Sequence, residues 1–266
     1  MKIALVDSGI GLLAAAAAVR RLRPDADLVL SSDPEGMPWG PRTAEDITER
    51  ALACARAAAA HRPDALVVAC NTASVHALAV LRAEFEPGTP VIGTVPAVKP
   101  AAAAGGPVAV WATPATTASP YQQRLIRDYA GGVPTTAVPC HGLADAVERA
   151  DEAAIDAAVS AAVALTPAEV RDVVLGCTHY ELVADRIRDA LRARRPSAGA
   201  TSPTLHGSAD AVAAQALRRL GAEPAPGAAA SGGLTVLLSG TPAGLPDSAH
   251  HYAEGRALGA LRTARG

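Results

Sequence analysis

Short apolar runs rich in β-branched residues alternate along the chain with longer stretches rich in Ala and Arg. Ile3 to Val6, Leu28 to Leu30, Ala65 to Ala69, Val91 to Ile92, Val108 to Trp111, Thr135 to Val138, Val173 to Leu175 and Leu234 to Leu238 read as strands, and the stretches between them as helices. The strand runs lack in-and-out alternation, so both faces of the sheet are expected to be covered, as in a parallel sheet flanked by helices. The predicted class is therefore α/β, with functional residues at the carboxyl ends of strands. Breaks rich in Pro, Gly and Ser fall at 86–90, 104–107, 195–203 and 221–233, and the last two set off a C-terminal piece.

One pattern recurs. Ala65-Leu66-Val67-Val68-Ala69-Cys70-Asn71-Thr72 and Arg171-Asp172-Val173-Val174-Leu175-Gly176-Cys177-Thr178-His179 are each a strand, then Cys, then polar residues opening a helix. The repeat suggests two similar half-molecules, each offering a thiol from the same structural place. A cysteine there meets the unpaired N–H groups of a helix start, which favour thiolate, whereas apolar burial opposes ionisation. Cys54 and Cys140 read as small buried hydrophobes. Asn71, Thr72, Thr178 and His179 supply donors and acceptors suited to a carboxylate, and His179 can tune the thiol or pass a proton; its plainer reading is a helix-start histidine bonded to backbone. Asp7, in Asp7-Ser8-Gly9, reads either as a helix N-cap or as a group that binds an ammonium or orients a thiol.

Composition narrows the alternatives. The chain has 266 residues, a formal net charge of −2 and seven aromatic residues, so neither polyanion attraction nor base stacking points to nucleic acid. Asp7, Ser8 and Gly9 interrupt the first apolar stretch and Arg20-Arg21 close the Ala run, so no targeting or membrane-spanning segment is read. The four cysteines contain no CxxC pair, which argues against zinc or a disulfide framework and fits reduced thiols in a cytoplasm. Gly9 and Gly11 imitate a dinucleotide loop only in part, because Ala14 stands at the third glycine and no acidic residue clearly follows the second strand. Lys2 and Lys99 are the only lysines, and neither suggests a Schiff-base site for pyridoxal phosphate.

With these residues in view, the chain resembles the glutamate racemases of the aspartate/glutamate racemase superfamily over nearly its whole length. The resemblance is carried by Asp7-Ser8-Gly9-Ile10-Gly11, Pro38-Trp39-Gly40 with Arg42-Thr43, Val68-Ala69-Cys70-Asn71-Thr72-Ala73-Ser74, Val91-Ile92-Gly93, Thr113-x-x-Thr116-x-x-Ser119, Cys140 with Glu148, and Leu175-Gly176-Cys177-Thr178-His179-Tyr180. It implies two similar parallel-sheet α/β lobes related by a pseudo-two-fold, residues 1–94 plus 205–266 and residues 95–204, with the active site in the cleft between them. The implied chemistry is racemisation of L-glutamate to D-glutamate for peptidoglycan, without cofactor or metal, by two cysteines acting as two bases. Cys70 and Cys177 take those places, with Asp7 on the Cys70 side and His179 and Glu148 on the Cys177 side. Ser8, Pro38, Trp39, Gly40, Asn71, Thr72, Thr116 and Thr178 match residues that hold the substrate. A small amino acid is the expected partner, with no nucleic acid and no membrane, in a cytoplasmic homodimer.

Departures from the family pattern are Leu12 for a glycine, Trp39 for a tyrosine, His141 for a proline and Tyr121 one place early; Leu12 and Trp39 are expected near the substrate mouth. They leave aspartate, or another amino acid of a secondary pathway, as alternative substrates. Maleate isomerisation also uses two cysteines, whereas a decarboxylase usually keeps only the second, so Cys70 argues against it. A non-catalytic module clamping a dicarboxylate between two lobes is the alternative from another class. A redox sensor would need a disulfide between the two thiols, which access to both faces of a substrate disfavours.

Overall fold

The structure is a computed structural model that describes residues 1–194 and 202–260, so most of the expected break at 195–203 lies outside the described residues. In chain order the strands are β1 (Lys2–Asp7), β2 (Asp27–Ser32), β3 (Ala65–Val68), β4 (Val91–Gly93), β5 (Val108–Ala112), β6 (Thr135–Pro139), β7 (Asp172–Leu175), β8 (Thr204–His206), β9 (Leu234–Leu238) and β10 (Thr241–Ala243). All eight expected strands form, and β8 and β10 are additional. Two compact units result: Met1–Thr94 with the chain from Ala209 on, and Val95–Ser208. Because β8 pairs with β7, residues 205–208 stand in the second unit rather than the first, where the boundary drawn from sequence put them.

The first unit holds a sheet of order β10-β9-β2-β1-β3-β4, parallel except for β10. The second holds a parallel sheet of order β6-β5-β7-β8. Counted within each unit, the first four strands take the same order, second-first-third-fourth, so β3 and β7 are equivalent strands flanking the equivalent strands β1 and β5. The runs are apolar because both faces are covered: Ile3–Val6, Ala65–Val68 and Val108–Ala112 are buried throughout.

Helix faces complete the cores. The helix Ala44–Ala59 turns Ile47, Ala51, Cys54, Ala55 and Ala58 inward, a spacing of three and four, against Ala4, Val6, Leu66 and Val68. Thr43 caps that helix by accepting the Asp46 N–H at 3.3 Å. In the second unit Val98, Ala101, Val108, Val110, Leu125 and Val174 form the corresponding core. With so few aromatic side chains, close packing is achieved by alanine, which lets helices approach the sheets closely. No helix among the described residues is long and apolar enough to cross a membrane.

Candidate active site

In the first unit, parallel pairing brings the polar strand ends to one edge. Val6 is in register with Val68, and Ala69 N–H donates to the Val6 carbonyl at 2.8 Å, so Asp7-Ser8 and Cys70 leave neighbouring strands side by side. Asp7 is fully buried and accepts hydrogen bonds from Ser8 N–H at 2.7 Å and Ser8 Oγ at 3.3 Å. It is not a helix cap: the helix Leu12–Leu22 begins after Gly11, with no side-chain cap. Cys70 is the N-cap of the helix Asn71–His76, extended at φ −140° and ψ 122°, and its thiol is not spent on capping. The next residue, Asn71, is buried, and neither its carboxamide oxygen nor its nitrogen finds a hydrogen-bond partner. Thr72 beside it is half-buried.

The loop after β2 departs from the sequence expectation. The strand runs to Ser32 and is followed directly by Asp33, an acidic residue in the place where none was expected. It is not presented to a ribose, because its carboxylate already accepts from Trp39 Nε1 at 3.0 Å, Arg50 Nη1 at 3.0 Å, Gly36 N–H at 3.1 Å and Ser239 Oγ at 3.2 Å. Burial alone would push Asp33 up, yet these hydrogen bonds outweigh it and hold the carboxyl below its ordinary range. Trp39 and Leu12 are both buried, while Pro38 is exposed and Gly40 half-buried.

The second unit repeats the arrangement. Gly176 N–H donates to the Trp111 carbonyl at 2.7 Å, and a Cβ on Gly176 would stand 2.8 Å from that oxygen, so glycine is required by close approach of two backbones. Cys177 then caps the helix Thr178–Glu181 at φ −138° and ψ 134°, nearly the backbone of Cys70, and again without a side-chain cap bond. Its Sγ lies 3.8 Å from His179 Nδ1, and His179 Nε2 lies 2.9 Å from Glu148 Oε2. Thiol, imidazole and carboxylate thus form a line from β7 to the end of the helix Leu143–Glu148, so His179 is not merely bonded to backbone. Thr178 and His179 are buried and Cys177 is half-exposed. The stretch from Thr113 to Ser119 does capping work: Thr113 accepts from Thr116 N–H at 3.3 Å and donates to Thr116 Oγ1 at 3.0 Å, and Ser119 accepts from Gln122 N–H at 3.2 Å.

The other two thiols differ in kind. Burial, then the charges of Asp33 and Asp7, push Cys54 up to about 12, and burial pushes Cys140 up further. Among the described residues no group of three His, Cys, Asp or Glu side chains is placed to hold a metal ion. Lys2 donates to the His61 carbonyl at 3.0 Å and Lys99 lies 5.9 Å from the Tyr129 ring centre. Sequence reasoning missed Asp33, which was findable as a polar residue closing an apolar run.

Each of the two parallel α/β units sets a cysteine at a strand-to-helix turn among polar side chains, Asp7, Ser8 and Asn71 in the first and Thr178, His179 and Glu148 in the second. The Asp/Glu/Hydantoin racemase family matches residues 12–215, and the chain belongs to that family of isomerases. A glutamate racemase of Roseiflexus sp. (strain RS-1) is 41% identical over 194 residues, 70% of either chain. Among solved structures, glutamate racemase of Escherichia coli in complex with L-glutamate and activator UDP-MurNAc-ala is 28% identical with a TM-score of 0.74, covering 84% of either chain. The RacE1 isoform of glutamate racemase from Bacillus anthracis is 27% identical with a TM-score of 0.74, over 98% of this chain and 95% of its own.

Proposed function

We propose that the protein interconverts L- and D-glutamate by a two-base mechanism in which Cys70 and Cys177 act on opposite faces of the α-carbon. The observation that carries this reading is the duplicated geometry: two N-cap cysteines with almost the same backbone angles, each after the equivalent strand of its unit and neither making a side-chain cap bond. One thiolate takes the α-proton and becomes a thiol. The electron pair stays on the α-carbon and spreads into the α-carboxylate, and the other thiol gives its proton to the opposite face, becoming thiolate. Each turnover exchanges the protonation states of the two sulfurs. Glu148 holds His179 beside Cys177 for the proton that must then be returned, and Asp7 serves the Cys70 side.

The remaining matched residues fall into place as binding groups. The unpartnered Asn71 carboxamide offers the two N–H donors of its amide and an acceptor oxygen, and Ser8, Thr72, Thr116 and Thr178 offer hydroxyls for the carboxylates. Pro38 and Gly40 border the substrate, and Trp39 holds their turn from within the core through Asp33. Polar hydrogens that strengthen as charge moves onto the carboxylate lower the barrier more than they favour bound substrate. Both lysines are engaged elsewhere, which supports chemistry without pyridoxal phosphate. The names of the relatives support glutamate as substrate; supply of D-glutamate for peptidoglycan, in a cytoplasmic homodimer, belongs to the same proposal.

Incubation with L-glutamate in heavy water, without added cofactor, is expected to exchange the α-hydrogen and yield D-glutamate, and C70S and C177S are each expected to lower racemisation by about 100-fold or more. Absence of both exchange and D-product overturns the reading. Parallel incubations with aspartate and with maleate, monitored for D-aspartate and fumarate, test the neighbouring activities. A binding module that only clamps a dicarboxylate would show no turnover and unchanged affinity in both variants.

A further inference from the structure

The helix Thr178–Glu181 has only four residues, and the backbone bonds around it, Tyr180 N–H to Cys177, Leu182 N–H to His179 and Val183 N–H to Tyr180, all span three residues at 3.1 to 3.3 Å. So short a turn cannot hold its own direction, because helix nucleation is unfavourable and propagation never begins. Its direction must come from outside. Successive side chains, about 100° apart around the axis, reach three different elements. His179 meets Glu148, Tyr180 Oη donates to the Cys140 carbonyl at 3.4 Å, and Glu181 Oε1 accepts from both Ser208 N–H and Ser208 Oγ at 2.8 Å.

The last contact is not explained by local preference. Glu181 belongs to both the first and the last turn of this four-residue helix, so the helix dipole gives its carboxylate no direction of its own. Opposite it the chain makes room: a Cβ on Gly207 would lie 2.4 Å from Glu181 Oε2 and 2.8 Å from its Cδ. Ser208, itself buried, is the last residue of the second unit, and His206 before it is fixed at 2.7 Å to Asp172 at the start of β7. The segment that receives Glu181 is therefore anchored independently of the helix.

We propose that Glu181 is a positioning residue for the Cys177 half of the reaction: clamped by Ser208 in the space left by Gly207, it fixes the turn that aims Thr178 and His179. The inference rests on the two-cysteine reading above for its catalytic consequence and on geometry alone for its structural one. The consequence is one-sided, because only the proton transfers at Cys177 depend on this turn.

The test compares E181A, E181Q and G207A with wild type, using α-protio and α-deuterio glutamate of each hand and, in parallel, NMR of the His179 ring. E181A and G207A are expected to lower kcat about tenfold or more with KM changed less than about threefold. They are also expected to raise the primary isotope effect for one enantiomer only, the same one affected by H179N. E181Q keeps an acceptor for Ser208 and is expected to recover to within about threefold of wild type, and G207A adds nothing further to E181A. The His179 ring signals should move in E181A and G207A and stay in E181Q. Isotope effects raised equally for both enantiomers, or unmoved ring signals, overturn the proposal even if E181A folds poorly, since G207A keeps every functional group. If wild type itself does not exchange glutamate, the racemase reading falls, and the ring signals alone then decide whether Glu181 positions the turn.

Discussion

Asn71 spends stability for a purpose. A buried carboxamide with no hydrogen bond costs about 1–3 kcal/mol relative to one that is paired. N71A, at the first position of a helix, removes that cost and adds a better helix former. The expected outcome is a urea midpoint equal to or above that of wild type without substrate, together with a glutamate KM raised about tenfold or more. A clear loss of stability with an unchanged KM would show that the amide serves the fold. At this scale the sequence was most informative: Cys70, Asn71, Cys177 and His179 stood out because polar residues closing an apolar strand have no packing reason to be there. The pairing of His179 with Glu148 spans 31 residues and follows from the order β6-β5-β7, so only the family resemblance brought Glu148 forward.

The loop between β2 and the helix Ala44–Ala59 is held by side chains in addition to the backbone bonds of Gly36 and Met37 to Asp33 and of Arg42 to Trp39. Arg42 bonds the Gly36 carbonyl at 2.6 Å and Asp46 at 2.7 Å, Arg50 bridges Asp46 and Asp33, and Trp39 closes the set. A Cβ at Gly36 would fall 1.9 Å from Asp33 Oδ2 and 2.1 Å from Arg50 Nη1, so glycine leaves space for the ion pair. W39F keeps most of the ring but removes one of the two donors to Asp33 Oδ2, leaving Arg50, and it is expected to cost about 1–3 kcal/mol. Urea unfolding should show a lower midpoint with an unchanged slope, and an unmoved midpoint would contradict this account. Among elements, the buried strands β1, β3, β5 and β7 were readable as unbroken apolar runs. The edge strands β8 and β10 were not: each has only three residues, β10 is exposed and carries Pro242, and such segments look like turns until a neighbour pairs with them.

Across the whole chain, the strand order within each unit was beyond the pattern of apolar residues, because periodicity reports burial and not which strand lies beside which. The duplicated cysteine segment foretold two similar units, and the shared strand order of β1–β4 and β5–β8 is its structural counterpart. A property of the whole molecule follows from what those units bury. Burial pushes Cys54 up to about 12 from an ordinary value of 9.0, and it pushes Cys140, Tyr121 and Tyr180 in the same direction. All four are neutral when protonated, so at alkaline pH the unfolded chain releases protons that the native state retains. Stability is then full below about pH 9 and falls above it, by up to about 1.4 kcal/mol per pH unit for each buried thiol, until about pH 12 for Cys54. The chain has only two lysines and arginine stays charged, so loss of ion pairs contributes little. Unfolding free energies measured from pH 8 to pH 11 should decline with that slope, and C54A, although less stable at pH 8 through lost packing, should decline less steeply. A flat profile, or equal slopes for wild type and C54A, would mean that the buried thiols ionise without opening the fold.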